Sequence, residues 1–525
     1  DVLRNGGNAI DAAVAVGYAL AVVYPAAGNL GGGGFMTLQL ADGRKTFIDF
    51  RETAPLAATA TMYLDASGNV IPDLSTRGYL AVAVPGTVSG LEYARAKYGT
   101  MPRTKLIAPS IVLAERGFVL SQGDVDLLHE ATDDFRKDAA SAAIFLPDNQ
   151  PLMAGSTFRQ RDLARTLRNI SQRGTDGFYK GETAAALIAA SRAGKGILTQ
   201  ADFDAYRTRE LAPVECDYRG FHIVAAPPPS SGGIVLCEML NILEGYPLRD
   251  YGYASARAVH VTIEAMRHAY VDRNHLLGDP AFVDNPTAKL LDKSYAAKLR
   301  SRIDPQRAGS SAQLKPGIAA REGTHTTHYS IADRFGNAVA MTYTLNDWFG
   351  ARVTAAGTGV LLNNEMDDFT AKAGVANMYG LVQSDTNRIE PGKRPLSSMT
   401  PTIVSRDGKP WMIVGTPGGS RIITAVMQTL LNVIDFDMDL QEAVDAPRIH
   451  QQWLPEETYV EARAVSPDTR ALLVAMGHKL IAPQPENHVA AILIGAPALN
   501  AKPVAGMVFY GAIDPRRNTG LALGY

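Results

Sequence analysis

Cysteine is almost missing from this chain: its 525 residues hold only Cys216 and Cys237. Two thiols this far apart do not read as a metal centre or a disulfide framework, so the redox compartment stays open. An excess of either charge is missing too. Lys and Arg number 51 against 53 Asp and Glu, a formal net charge of -2, which gives no electrostatic case for nucleic acid or an anionic membrane. Small molecules are the expected partners. The chain also lacks a long apolar run. Its longest, AIDAAVAVGYALAVV at residues 9–23, carries Asp11 and falls short of the ~20 residues that span a bilayer, so it predicts a buried, alanine-rich helix. No basic leader precedes it and the chain opens on Asp1, so any export signal is expected to have been removed or to lie outside the chain. Fixed-period repeats and low-complexity linkers are likewise missing, and the two halves are expected to share one sheet system.

What is present suits a large core, since 46% of the residues are hydrophobic; the length allows two to four units or one intimately packed body. Asn8 is placed to cap the first helix with Asp11 in its first turn, and Tyr24-Pro25 ends it. GNLGGGGF at 28–35 leads into a strand instead of joining a strand to a helix, which argues against a dinucleotide fingerprint. FMTLQLADGRKTFIDF reads as a hairpin around Asp42 and Gly43, HYSIAD and AVAMTYTL as a second around RFGN, and PTIVSRDGKPWMIVGT as a third strand pair around Asp407 and Gly408. Residues 100–300 read as mostly helical, broken by APPPSSGG at 226–233. His260, His268 and His275 lie near one helix face, but no two of them are spaced i, i+4, so satisfied or surface histidines are expected. A layered α/β or α+β architecture follows.

The segment GTHTTHYS at residues 323–330 sets three threonines and two histidines directly before a β pattern. A threonine hydroxyl inside a chain is a poor nucleophile without an adjacent base. Cutting the preceding peptide bond would create an α-amine, reference pKa about 7.7–8.0, on the same residue as the hydroxyl. The ordinary alternative is strand entry, which threonine favours. Three other stretches bear on the choice. IVGTPGGSRI at 413–422 reads strand, tight turn, helix, with two glycine N–H groups where an oxyanion would sit. RPLSSMTP at 394–401 puts two hydroxyls beside a turn, and NNEMDDF at 363–369 supplies Glu365, Asp367 and Asp368; alone, each is an unremarkable turn or acidic loop.

Together, TTHYS, YTLN, LLNNEMDDF, RPLSSM, GTPGGSRI and DFRETAP resemble, in this arrangement, the γ-glutamyltransferases, a family of N-terminal nucleophile hydrolases; the resemblance runs from the first helix to the terminal DPRRNTGLALGY. It implies an α+β fold, a four-layer αββα sandwich. It also implies self-cleavage between His325 and Thr326, giving a large subunit (1–325) and a small one (326–525) intertwined in one body. Thr326 matches the nucleophile, whereas Thr324 and Thr327 do not align with it. Thr344 matches the residue that supports the nucleophile and assists processing, and Gly418 and Gly419 match the oxyanion hole. Arg51 with Ser397 and Ser398 matches a clamp for the donor's α-carboxylate, and Asn346, Glu365 and Asp368 a cradle for its α-ammonium; a desolvated zwitterion needs both.

The reaction so implied passes a γ-glutamyl group from glutathione or a related donor, through an ester on Thr326, to water or to an amino acid or peptide acceptor. It needs no metal or organic cofactor. Residues 369–396 match a lid loop, with Tyr379 at the gating position, expected to be a mobile cover. Asp347 and Trp348 depart from the family's pattern, and Trp348 is expected to narrow the acceptor region. Periplasmic or secreted placement is implied, with no membrane span and no nucleic acid partner. The competing readings are a glutaryl cephalosporin acylase on the same scaffold, against which Asp368 argues, and a non-catalytic binding protein that never matures.

Overall fold

The hairpin of β1 (Gly33–Gln39) and β2 (Lys45–Phe50) forms as its alternation predicts, with Gly43 in the left-handed region at φ +87°. Its other neighbour comes from the far half of the chain. In the computed structural model, which describes residues 1–314, 325–482, 487–502, 507–517 and 520–524, β1 pairs antiparallel with the strand Ala338–Thr344, from Gly33 opposite Thr344 to Gln39 opposite Ala338. The glycine run makes that approach possible. A Cβ on Gly32 would lie 2.0 Å from the Thr344 carbonyl oxygen, and one on Gly34 2.5 Å from that of Thr342.

With β3 (Arg209–Leu211), β4 (Val214–Tyr218), β5 (Phe221–Ala225), β6 (Thr327–Ala332) and β7, the Ala338–Thr344 strand, the first sheet has the order β3-β2-β1-β7-β6. The second adds β8 (Thr402–Arg406), β9 (Lys409–Gly415), β10 (Ala490–Ile494) and β11 (Phe509–Ile513) in the order β11-β10-β9-β8-β5-β4. The sheets face each other through small and β-branched residues. Ala338 and Ala340 of β7 meet Val224, Ile403 and Ile413, while Val339, Met341 and Tyr343, pointing the other way, join the helix-side core. Period two thus serves two buried faces at once.

Helices cover both outer faces and complete a four-layer αββα sandwich. Over the first sheet lie α1 (Ala9–Val23) and α2 (Thr87–Tyr98). Asn8 and Asp11 cap α1 reciprocally at 2.9 and 3.0 Å, and the buried Asp11 carboxylate also receives the N–H groups of Thr100 and Met101. Over the second lie α3 (Gly232–Leu243) and α5 (Ile422–Ile434), with α4 (Ala256–Leu276) packed against α3. Helices also occupy Arg103–Arg116, Arg161–Arg173 and Gly181–Ala193, as their periodicity predicts.

Two expectations need correction. The stretch read as a helical layer contains β3, β4 and β5, whose alternation around Arg219-Gly220 was masked by the helices on either side. The two cysteines also pair: Cys216 on β4 and Cys237 on α3 form a disulfide, because the strand turns back under the helix and brings their Cα atoms to 6.0 Å. Thr324 and part of the terminal motif lie outside the described residues. No helix among the described residues is long and apolar enough to cross a membrane.

The disulfide joins residues 21 apart, and closing such a loop restrains the unfolded chain by about 3 kcal/mol. Combining Cys216→Ser with Cys237→Ser should lower the unfolding free energy from urea titration by about that amount under oxidising conditions, with a lower midpoint, and match the wild type once both are reduced. Identical midpoints under oxidation would contradict the pairing.

Candidate functional site

Thr326 stands one residue before β6, whose Thr327 pairs with Tyr343 of β7. It is 4% exposed. Its Oγ1 donates to the carbonyl oxygen of its own predecessor, His325, at 2.5 Å, and Thr344 Oγ1 donates to the same oxygen at 3.1 Å. Thr344 Oγ1 in turn accepts the Asn346 N–H at 2.8 Å, across a turn in which Asn346 takes φ +78°. In the continuous chain the nitrogen of Thr326 is an amide and has no basicity to offer. The arrangement activates the carbonyl instead, with two hydroxyls on one oxygen.

Thr326 and Thr344 line a cavity together with Arg51, Asn346, Glu365, Asp368, Tyr379, Ser397, Ser398 and Gly419. Residues spread over most of the chain therefore converge, all the expected site residues except Gly418, which adjoins through the Gly418-Gly419 turn. That turn follows β9 and runs through a 3-10 turn, Gly419–Arg421, into α5, as the sequence pattern predicts. Gly418 sits at φ +134° and Gly419 at +54°, and a Cβ on Gly418 would overlap the Asn487 amide at 2.0 Å. Only glycine fits there.

The cavity holds about 20 Å³, room for one water, because its charged groups close on one another. Arg51 donates to Glu365 and Asp368, and Glu52 lies 3.7 Å from its guanidinium. The expected grouping of Arg51 with the two serines is not what the side chains make here. Arg51 reaches that segment through the Pro395 carbonyl, at 3.2 Å, and Ser398 Oγ accepts from Arg273 at 2.9 Å. Burial opposes the charge on Arg51, but the three carboxyls outweigh it and hold it cationic. Burial likewise lifts Glu365 well above the usual carboxylate range and Glu52 to about 7, each against the pull of Arg51.

Arg273 was not anticipated. It is 1% exposed on α4, bonds to Ser231, Asn274 and Ser398, and meets no carboxylate in a salt bridge among the described residues. Burial lowers it to about 10, still cationic at neutral pH. Nothing in the helical pattern around it marks this arginine. The APPPSSGG loop, a break in the helical pattern, is a strut: Ser231 Oγ donates to the Ser397 carbonyl at 2.7 Å and Ser230 Oγ to that of Met399 at 2.7 Å.

Tyr379 reaches over the cavity from the 369–396 segment and donates to the Asn346 carbonyl at 2.8 Å. Asp367 pins the same segment, accepting from Ser75 at 2.6 Å and from the Met378 N–H at 3.0 Å. Trp348 does not line the cavity. It is 2% exposed and sets its ring edge-on to His325, with centroids 4.7 Å apart. Asp347 accepts from Arg77 at 2.9 Å and lies 3.0 Å from His325 Nδ1.

A second cluster lies on α4. His260 and Glu264, at i, i+4 on α4, meet His478 in a buried group whose donor atoms all lie within 4.8 Å, a spacing that fits a metal ion. In the sequence only the His260–Glu264 spacing could have marked it, since His478 comes from a distant segment. As it stands the group is internally bonded: the imidazoles are 2.7 Å apart, His260 Nε2 meets the Asp304 carbonyl, and Glu264 faces Arg267 at 3.4 Å.

The family model described as Gamma-glutamyltranspeptidase matches residues 1–524. A glutathione hydrolase proenzyme of Pseudomonas sp. (strain A14) is 69% identical over 526 residues, covering all of this chain and 92% of the relative. One of Escherichia coli (strain K12) is 46% identical over 527 residues, covering all of this chain and 89% of its own. Among solved structures, cephalosporin acylase from Bacillus halodurans superposes with a TM-score of 0.85 at 27% identity, covering 99% of this chain and 92% of its own.

The carboxyl of Glu52 carries a checkable consequence. Its value moves from 4.5 to about 7 on folding, so the folded chain keeps a proton that the unfolded chain releases. The stabilisation is complete below pH 4.5 and is lost as pH rises through about 7. Glu52→Gln, permanently neutral, is expected to lose less stability than the wild type over that interval, read as urea midpoints at its two ends. Equal declines would count against the assignment.

Proposed function

The chain belongs to the γ-glutamyltranspeptidase family over its whole length, and from that premise and the site's geometry we infer what its residues do. It is a γ-glutamyltransferase and glutathione hydrolase. The observation that carries the mechanism is the convergence on one cavity of Thr326 and the handles for an amino-acid zwitterion.

The enzyme first makes its own nucleophile. Thr326 Oγ1 attacks the His325 carbonyl carbon, the C–N bond breaks, the hydroxyl proton passes to the departing nitrogen, and water hydrolyses the resulting ester. His325 is left with a carboxylate and Thr326 with a free amine. The large subunit then ends at His325 and the small subunit begins at Thr326. Thr344, already on the His325 carbonyl oxygen, stabilises the charge that develops there.

The mature site then binds the γ-glutamyl donor by exchanging its internal ion pairs for the donor's own charges. The α-carboxylate takes Arg51, Ser397 and Ser398, joined by Arg273, and the α-ammonium takes Asn346, Glu365 and Asp368. Such a swap costs less than stripping unpaired charges of water, because no handle is left bare at either stage. The free amine of Thr326 removes the proton from its own hydroxyl, Oγ1 attacks the γ-carbonyl, and the N–H groups of Gly418 and Gly419 receive the oxyanion. Amine product leaves. Water yields glutamate, or an amino acid or peptide amine yields a new γ-glutamyl compound, with Tyr379 and its loop covering the site. An exported, periplasmic location is supported by the Cys216–Cys237 disulfide.

Intact mass under denaturing conditions, with N-terminal sequencing, tests the first stage. Two fragments are expected, the smaller beginning Thr-Thr-His-Tyr-Ser, and one uncut chain from Thr326→Ala; a wild type that stays uncut on incubation would remove Thr326 as the nucleophile. Donor recognition is tested by pairing a γ-glutamyl anilide with its glutaryl counterpart, which lacks the ammonium. The glutaryl compound should turn over at least about 100-fold more slowly, one lost charged contact or two; parity would favour the acylase reading. Arg273→Met should raise KM for the γ-glutamyl anilide about 10- to 100-fold, on the same scale, and leave the fragment pattern unchanged.

A further inference from the structure

We propose that Asp347 and Trp348 form a socket for the His325 side chain that positions the His325–Thr326 bond for self-cleavage. The inference rests on the self-cleavage reading above and adds a positioning device to it.

Intramolecular attack needs the Thr326 hydroxyl held against the preceding carbonyl, and so the backbone fixed on both sides of the bond. The downstream side is fixed by the sheet, from Thr327 opposite Tyr343 onward. On the upstream side, among the described residues, the chain is held by the His325 side chain. Its Nδ1 lies 3.0 Å from Asp347 Oδ1, and its ring meets Trp348 edge-on at 4.7 Å, with the planes at 77°. The carbonyl of the same residue takes the Thr344 hydroxyl at 3.1 Å. Three grips on one residue thus come from a single five-residue stretch, Thr344 to Trp348.

That stretch is itself rigid. Asn346 turns at φ +78° with its N–H on Thr344 Oγ1. The Asp347 N–H donates to Asn364 Oδ1 at 2.9 Å, and the Trp348 N–H to Asp347 Oδ1 at 2.9 Å. Arg77 at 2.9 Å and Arg352 at 3.5 Å hold the Asp347 carboxylate from the other side. Trp348 is wedged by Tyr24, with centroids 6.1 Å apart, and by the Arg517 guanidinium, 4.8 Å from its ring. Neutral imidazole fits this socket with its Nδ1–H on the carboxylate; burial favours that form. Rotation about the bonds of His325 would carry its carbonyl away from both threonine hydroxyls, and the socket opposes that rotation.

The test follows cleavage of full-length chain made by cell-free translation, with a pulse of label and a chase, so that every time course starts from intact chain. His325→Leu removes the N–H and should slow cleavage about 10- to 100-fold, the range for a hydrogen bond to a charged group. His325→Asn keeps a donor at the Nδ1 position and should restore the rate to within about threefold of wild type. Asp347→Ala should slow cleavage like His325→Leu, and the double variant should be no slower than either single one, since both delete the same contact. Multiplying effects in the double variant, or equal rates for His325→Leu and His325→Asn, would overturn the socket. If Asp347→Ala fails to fold, the His325 pair decides alone, because it leaves the Arg77 and Arg352 contacts in place. A wild type that never cleaves refutes the self-cleavage reading itself, whereas a cleaving wild type matched by His325→Leu refutes only the socket.

Discussion

The rest of this structure depends on the pairing of β1 with β7, one strand from each half of the chain joined over seven residue pairs. Sheets that mix segments from both sides of a peptide bond hold together when that bond is cut. The second sheet repeats the device, with β5 from before the proposed cut against β8 from after it. The pairing also sets the chemistry. It carries Thr344 to the glycine end of β1, and the absence of side chains there lets the backbone close to a distance no other residue permits.

Within that frame the site is a problem of buried charge. Glu52, Glu365 and Asp368 supply three carboxyls and Arg51 and Arg273 two guanidiniums, so full ionisation would leave one negative charge unbalanced. The upward displacement of Glu52 and Glu365 is the expected response, a proton kept between two carboxyls that face each other. Isolated buried charges would be far more costly. On the proposed reading, the ion pairs that fill the cavity serve as an internal copy of the donor: a cation between acids, and a hydroxyl on an arginine. A zwitterion that presents one charge of each sign can replace the copy without leaving either side unpaired. On the same reading a glutaryl group, with the carboxylate alone, would leave Glu365 and Asp368 turned back on Arg51 and compete with them for it.

Much of this was legible in the sequence, for identifiable reasons. The three hairpins carry their turn residues and their alternation on their face, and the capped first helix does the same. The cavity residues were found because each sits in a short, chemically distinctive motif. Arg273 was missed because it lies in a helical run whose other residues explain themselves by packing. The strands of residues 209–225 were missed for a related reason: short strands between long helices are read with their neighbours' period. The disulfide was missed because pairing depends on where β4 lies under α3, which spacing along the chain does not reveal. Motif position alone puts Trp348 near the acceptor, whereas its ring meets His325, the residue before Thr326.

The same few residues belong to both stages of the proposed chemistry, and the fold explains why this is economical. Before the cut, Thr326 Oγ1 faces an acyl carbon that is part of the chain; afterwards the acyl carbon belongs to a donor. In both cases the nucleophile is the same atom on the same strand end, held by the same sheet. What changes is the nitrogen of Thr326, which passes from an amide without basicity to an amine able to take a proton at neutral pH. The first reaction proceeds without that base, and the grip on His325 fits this need: a hydroxyl with no base beside it depends more heavily on placement. In the proposed mature enzyme the freed amine supplies that base. The upstream grip is accordingly built on a side chain that the cut detaches from Thr326, whereas the downstream grip is built into the strand that stays.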